Sequence, residues 1–365
     1  MSKAELSKNQ KQTAVQSWRN GIAVRIPDRL SDAVMTFPAL KELKKIIPEH
    51  CGLFVIIPSF MTQLFEALPI VDKTVSLRKS DGSMWSRNER REVRQLRAGA
   101  IVLFNNSPAD VISARLARIP QLFGFAGTRS GLLLSSRTVR PGHPENPDHH
   151  SPIAMQYLEL ASSVGAGTWD GKLPRISSRI ATYETDPVIE GLCTHVQMLL
   201  IAPGVTGPPC LDPSIYRTAA KYWIRHGGIV AVIGSASERS RGNAVTASLP
   251  KNKIFNLCGK TDFCALLHLF RHAAYTLAGD SGLMRLGIAL DIHGLIPVGP
   301  ADFLETDPVT AKWRVLASKS VCKKAGNSCE QGGNCPHPPT AKQLLKAIKK
   351  AADELHFPFR KVPIK

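Results

Sequence analysis

Short uninterrupted apolar runs alternate along the chain with longer stretches whose apolar residues recur every three or four positions. Runs of the first kind, bounded by turn residues, predict buried strands; stretches of the second kind predict amphipathic helices. Ile22–Ile26 reads as the first strand, followed by a loop over 27–31. Asp32 then opens the helical run AVMTFPALKELKKII, in which Pro38 bends the helix or sits in its first turns, and Pro48 ends it. Leu53–Ile57, Val71–Leu77 and Ile101–Phe104 predict further strands, and Met61–Leu68 and Ala109–Arg118 predict helices.

The alternation fades over 171–190, which is rich in Gly, Pro, Ser and charge and reads as a linker. It then resumes with strands at Met198–Ala202, Ile229–Ile233, Tyr275–Ala278 and Gly294–Val298. The helices between them are Ser214–His226, Arg239–Leu249, Asp262–His272 and Leu283–Leu290. A last amphipathic helix, Ala341–Leu355, reads as separate. Strand–helix alternation implies parallel sheets with helices on both faces. The expected organisation is a polar basic tail (1–20), a first Rossmann-like unit (21–180), a second (190–340), and a C-terminal helix and tail (341–365). Open α/β sheets bind ligands beyond the carboxyl ends of their strands, so a cleft between the two units is the expected site.

Composition adjusts this picture. The chain has 365 residues, suited to two such domains, and 43% hydrophobic residues, enough for real cores. Its formal charge of +18 predicts attraction to anions: nucleic acid, an acidic membrane surface or a phosphorylated substrate. Nucleic acid is disfavoured, because aromatics are only 6% and no helix-turn-helix or base-stacking motif accompanies the charge. The start of the chain lacks a signal-peptide apolar core, and no apolar run is long enough to span a bilayer, so a cytoplasmic protein is expected. Of eight cysteines, Cys51, Cys193, Cys210, Cys258 and Cys264 read as small core or loop residues. Cys322, Cys329, Cys335 and His337 could bind metal or form a disulfide, but their spacing is unlike paired zinc ligands; no metal and no cofactor are expected. The His149–His150 pair reads as loop.

Three loops that follow strands carry the candidate chemistry. Asp32, after the first strand, is either a base facing the cleft or a helix-capping aspartate. The segment 202–207, APGVTG, permits close backbone approach and could cradle phosphate. The segment 279–285, GDSGLMR, is either an amide-lined anion site or an ordinary strand–helix connection capped by Asp280 or Ser281. The basic stretch Arg78–Arg97, with Arg115, Arg118, Arg129, Arg137 and Arg140, is either a solvated helix or an acceptor surface, and Met84 and Trp85 within it favour membrane-surface contact.

Together these loops resemble the heptosyltransferase-like enzymes of glycosyltransferase family 9. The resemblance rests on RLSDAVMTFPALKELKKIIPE, on Phe123–Phe125, on IAPGVTG, VIGSASE, NLCGKTD and GDSGLM in family order, and on CKKAGNSCEQGGNC. It covers roughly residues 21–356 and implies the GT-B fold of two Rossmann-like doubly wound domains facing an interdomain cleft. It further implies an inverting transferase moving a sugar, heptose by analogy, from a nucleotide-diphosphate donor such as ADP-heptose. The acceptor would be a phosphorylated lipid-linked saccharide, met at the inner membrane surface.

By the same resemblance Asp32 is the general base, and Ser31, Arg29 and Arg129 meet the acceptor. Gly204, Val205 and Thr206 line the diphosphate, Glu238 binds the ribose, and Asp280, Ser281, Gly282 and Leu283 hold sugar and phosphates. Two positions depart from the pattern. The family's phosphate-neutralising lysine is missing from the Cys210–Pro213 region, and Arg285 stands where histidine usually follows. The alternative is therefore a catalytically degenerate nucleotide-sugar-binding or scaffold protein on the same fold.

Overall fold

The computed structural model describes residues 18–78, 82–105, 107–125, 132–138, 153–174, 176, 186–195, 197–204, 211–279, 281–297, 312–316 and 339–357. The chain divides into two compact units, Met1–Ile180 and Ala181–Lys365.

In the first unit β1 (Gly21–Arg25) leads into α1 (Leu30–Met35) and α2 (Phe37–Ile46). Then come β2 (Gly52–Pro58), α3 (Thr62–Glu66), β3 (Lys73–Leu77), α4 (Arg87–Gln95), β4 (Ala100–Leu103), α5 (Pro108–Leu116), β5 (Gln121–Phe125), β6 (Ser136–Thr138) and α6 (Ile153–Ser162). The six strands are parallel and lie in the order β3-β2-β1-β4-β5-β6. β1 and β4 are buried along their whole length, as an inner parallel strand covered on both faces must be. Each large apolar side chain so buried contributes about 1.5–3 kcal/mol.

The second unit runs α7 (Pro187–Cys193), β7 (Met198–Ala202), α8 (Pro213–Arg225), β8 (Ile229–Val232), α9 (Arg239–Thr246) and β9 (Ile254–Asn256). It continues with α10 (Phe263–His272), β10 (Ala273–Ala278), α11 (Gly282–Ala289), β11 (Gly294–Pro297), β12 (Trp313–Leu316) and α12 (Ala341–Glu354). Its sheet, β12-β11-β10-β7-β8-β9, is also all parallel. Counted from its own first strand, each unit has the Rossmann order 3-2-1-4-5-6, with the topological switch between its first and fourth strands.

Four local expectations are corrected. The long first helix is two helices meeting at Thr36, whose hydroxyl donates to the Ala33 carbonyl at 2.6 Å. Pro38 therefore lies in the first turn of α2, where its missing N–H costs nothing. The end of the proposed linker is helical, because Pro187 opens α7 behind the capping carboxylate of Asp186. The last helix is not separate: Leu344, Ile348 and Ala351 of α12 belong to the second unit's core with Trp223 and Tyr216. Trp85 is buried in the first unit's core at 2% exposure, so it is no membrane anchor.

Candidate functional site

At the first unit's switch point, β1 ends in a loop that enters α1. The helix begins at Leu30, behind an extended Arg29 that makes no side-chain cap. Asp32 is thus the third helical residue and not the cap, which frees it of capping duty. Its carboxylate is half-buried, sits in the first turn where the helix dipole favours negative charge, and accepts from Ser31 Oγ at 3.2 Å. Arg29 is exposed and Ser31 half-buried beside it. Arg129 lies outside the described residues.

Under this loop is a charged network that the sequence reading missed. Arg25, the last residue of β1, is 1% exposed. Its guanidinium donates to Asp110 Oδ1 at 2.9 Å, to Asp28 Oδ1 at 2.5 Å and to the Ile26 carbonyl. The Trp85 indole N–H donates to the same Asp110 oxygen at 2.7 Å. The Asn105 amide, just past β4, bridges Asp110 at 2.8 Å and Asp28 at 3.2 Å. Burial pushes the Asp28 carboxyl above its ordinary range; Arg25 opposes the shift and the nearby Asp110 charge adds to it. The signal for this network is an arginine inside an otherwise apolar strand, since a buried cation demands partners.

The end of the basic stretch lies elsewhere. Arg19, Arg94, Arg97 and Arg118 line a cavity of about 440 Å³ beside residues that precede β1, β4 and β5, so it opens at the amino ends of the strands, opposite the switch edge. Arg115 is tied to the Leu133 and Pro120 carbonyls. Of the arginines expected at an acceptor surface, Arg94, Arg97, Arg115 and Arg118 thus sit at the amino edge, because parallel strands put their amino and carboxyl ends at opposite edges of the sheet, whereas Arg78 follows β3 at the carboxyl edge.

At the second unit's switch point, β7 ends at Ala202 and Gly204 adopts φ +76°, a left-handed geometry that costs other residues strain. Gly204 is buried, yet a side chain there would meet none of the described residues within 4 Å. Across the switch, the Gly279 N–H donates to the Ala202 carbonyl at 3.0 Å. A Cβ at Gly279 would come within 3.0 Å of the Tyr216 hydroxyl, which keeps that strand end bare. Ser281 caps α11, its Oγ accepting from the Met284 N–H at 3.4 Å. Gly282 and Leu283 are half-buried in the first turn, and Arg285 is 6% exposed one turn in. Val205, Thr206, Asp280, and the cysteine cluster with His337 fall outside the described residues.

Two side chains shape this edge. Arg241, buried on α9, donates to the Pro203 carbonyl at 3.2 Å and to the Leu211 carbonyl, holding both ends of the segment that contains Gly204. Sequence reading missed it because nothing in RGNAVT marks an arginine that spans a loop. Glu238, at 8% exposure, serves its own turn: Oε2 accepts from Ser235 N at 2.6 Å and Ser235 Oγ at 2.7 Å in a capping box. The candidate residues thus form two sets, one at each unit's switch edge.

A family model for glycosyltransferase family 9 (heptosyltransferase) matches residues 90–332. Lipopolysaccharide heptosyltransferase 2 of Salmonella typhimurium is 25% identical over 305 residues, covering 80% of this chain and 86% of the relative. The structure of the Escherichia coli ADP-heptose lipopolysaccharide heptosyltransferase II superposes with a TM-score of 0.73 at 20% identity, over 92% of this chain and 99% of that one. An E. coli heptosyltransferase solved with ADP gives a TM-score of 0.62 at 14% identity, over 92% of this chain and 98% of that one.

Proposed function

The chain belongs to glycosyltransferase family 9, the heptosyltransferases, and from that premise we propose that it transfers heptose from ADP-heptose, with inversion, to a hydroxyl of a phosphorylated lipid-linked saccharide. The observation that carries this reading is the Asp32 carboxylate, placed at a switch edge and free of capping duty. Asp32 takes the proton of the acceptor hydroxyl as that oxygen bonds to the anomeric carbon. The bond from that carbon to the diphosphate breaks, and its electron pair leaves with the diphosphate.

The second unit supplies the donor site. The bare backbone at Gly204 and the first turn of α11, residues 282 and 283, present amides to the diphosphate, and the helix dipole adds to their field. In place of the family's lysine, Arg241 puts a permanent cation at the foot of the Gly204 segment. Glu238 and Arg285 contribute to the same edge, towards ribose and phosphate. The net charge of +18 suits an acidic acceptor presented at the cytoplasmic face of a membrane, where the enzyme works in peripheral contact. Among the described residues no helix is long and apolar enough to cross a membrane.

The test is Asp32→Asn. Transfer falls about 10²–10⁴-fold, the usual contribution of a general base, while ADP affinity stays near wild type. Unchanged turnover removes Asp32 as the base. A wild-type protein that binds ADP-sugar but transfers nothing under any acceptor condition identifies the degenerate binding protein instead. Thermal stabilisation by UDP-sugars and not ADP-sugars overturns the donor assignment.

A further inference from the structure

Away from both switch edges, α7 and α10 bring three metal-binding side chains together. Cys193 is the last residue of α7; His268 and His272 lie one turn apart on α10. Spacing of four residues places both imidazoles on one helical face. One ligand atom from each of the three lies within 4.8 Å of the others. Cys193 and His268 are half-buried and His272 is exposed, so the cluster is at the surface and an ion can enter.

We propose that Cys193, His268 and His272 form a zinc site that ties α7 to α10. One thiolate and two imidazoles are a donor set suited to Zn²⁺ among abundant divalent ions, because sulfur and nitrogen disfavour Mg²⁺ and Ca²⁺. Tetrahedral ligands at about 2.0–2.3 Å from zinc stand about 3.5 Å apart. The three side chains therefore need to draw in by about an ångström, within the reach of small χ adjustments on a surface. The tautomer is already suitable. His272 Nδ1 lies 2.9 Å from the His268 carbonyl. A carbonyl only accepts, so Nδ1 carries the hydrogen and Nε2 keeps its lone pair for the metal. Glu190 precedes Cys193 by three residues on the same helix, and its carboxylate or a water completes four-coordination. Since α7 is the first described helix of the second unit, the ion clamps the entry of the chain onto that unit's body. The proposal is structural and independent of the transferase reading.

The test uses the reduced, metal-stripped 365-residue chain with Cys322, Cys329 and Cys335 all changed to serine, which removes that cysteine cluster as a competing source of thiolate. Titration with Co²⁺ is expected to saturate at one ion per chain with a thiolate-to-cobalt charge-transfer band, which Zn²⁺ then abolishes. Cys193→Ser loses the band. His272→Gln, at an exposed position that leaves the metal-free melting temperature unchanged, weakens cobalt binding at least about tenfold. Absence of the band from the triple-serine chain, its persistence in Cys193→Ser, or unaltered affinity in His272→Gln overturns the site.

Discussion

The two units share one strand order and use its switch point in opposite ways. In the first, the edge is built on charge: Arg25 is buried between Asp28 and Asp110, with Trp85 and Asn105 completing the bonds. In the second, the edge is built on backbone: Gly204 and Gly279 carry no side chain, and Ser281 opens a helix. A network of fixed charges holds a loop stiffly, so the first edge can aim one carboxylate. Side-chain-free backbone beside a helix N-terminus suits a large anion, as the proposed diphosphate site requires. Under the proposed function, the same topology separates proton transfer from phosphate binding, and the difference lies in side chains and not in the sheet.

The most severe way to break this contrast is Asp110→Ala. It leaves the Arg25 guanidinium and the Trp85 N–H without their shared acceptor, and removing one partner of a buried ion pair costs about 3–5 kcal/mol. Urea unfolding measures the loss, and amide hydrogen exchange locates it in β1 and β4. Protection lost equally in β7 and β10 would contradict a network local to the first unit. Arg241→Ala strikes the second edge: two carbonyl bonds to a charged donor disappear, a loss of about 1.5–3 kcal/mol each at most. ADP affinity by calorimetry is expected to fall about tenfold. Arg241→Lys recovers only part of it, because an ammonium cannot span both carbonyls.

Gly204→Ala is milder. The added methyl has room, and the cost is the left-handed backbone, about 1–2 kcal/mol. Thermal unfolding reports that cost, and ADP affinity drops with it if this backbone meets the diphosphate. The smallest effect is the pH dependence from Asp28. Its folded-state pKa is raised above the ordinary 3.8, so between the unfolded and folded values the native chain holds more protons than the unfolded one. Stability from this group therefore declines as pH rises through that window and levels off above it. In paired urea titrations, Asp28→Asn gains stability relative to wild type as pH rises from below 3.8. A gain on going down in pH would mean that Arg25 outweighs burial.

The sequence by itself determined what repeats locally. Apolar runs and helical spacing located most of the inner strands and their helices: Met198–Ala202 is observed as read, and the helix predicted at Asp262 starts at Phe263 with Asp262 as its cap. The post-strand loops that carry Asp32, Gly204 and Ser281 were legible for the same reason, since a strand followed by small or acidic residues and a helix is a local pattern. Trp85 misled because its charged neighbours suggest a surface, whereas its own indole is spent on Asp110, 25 residues away. Only the tertiary structure decided such pairings. Arg25 meets Asp110 across 85 residues, and Arg241 reaches back 38 and 30 residues to Pro203 and Leu211. Cys193 and His268 sit 75 residues apart on touching helices. Periodicity records which face of an element is buried and is silent on which distant side chain that face will find; that choice is made when parallel strands are ordered 3-2-1-4-5-6 and their loops converge at one edge.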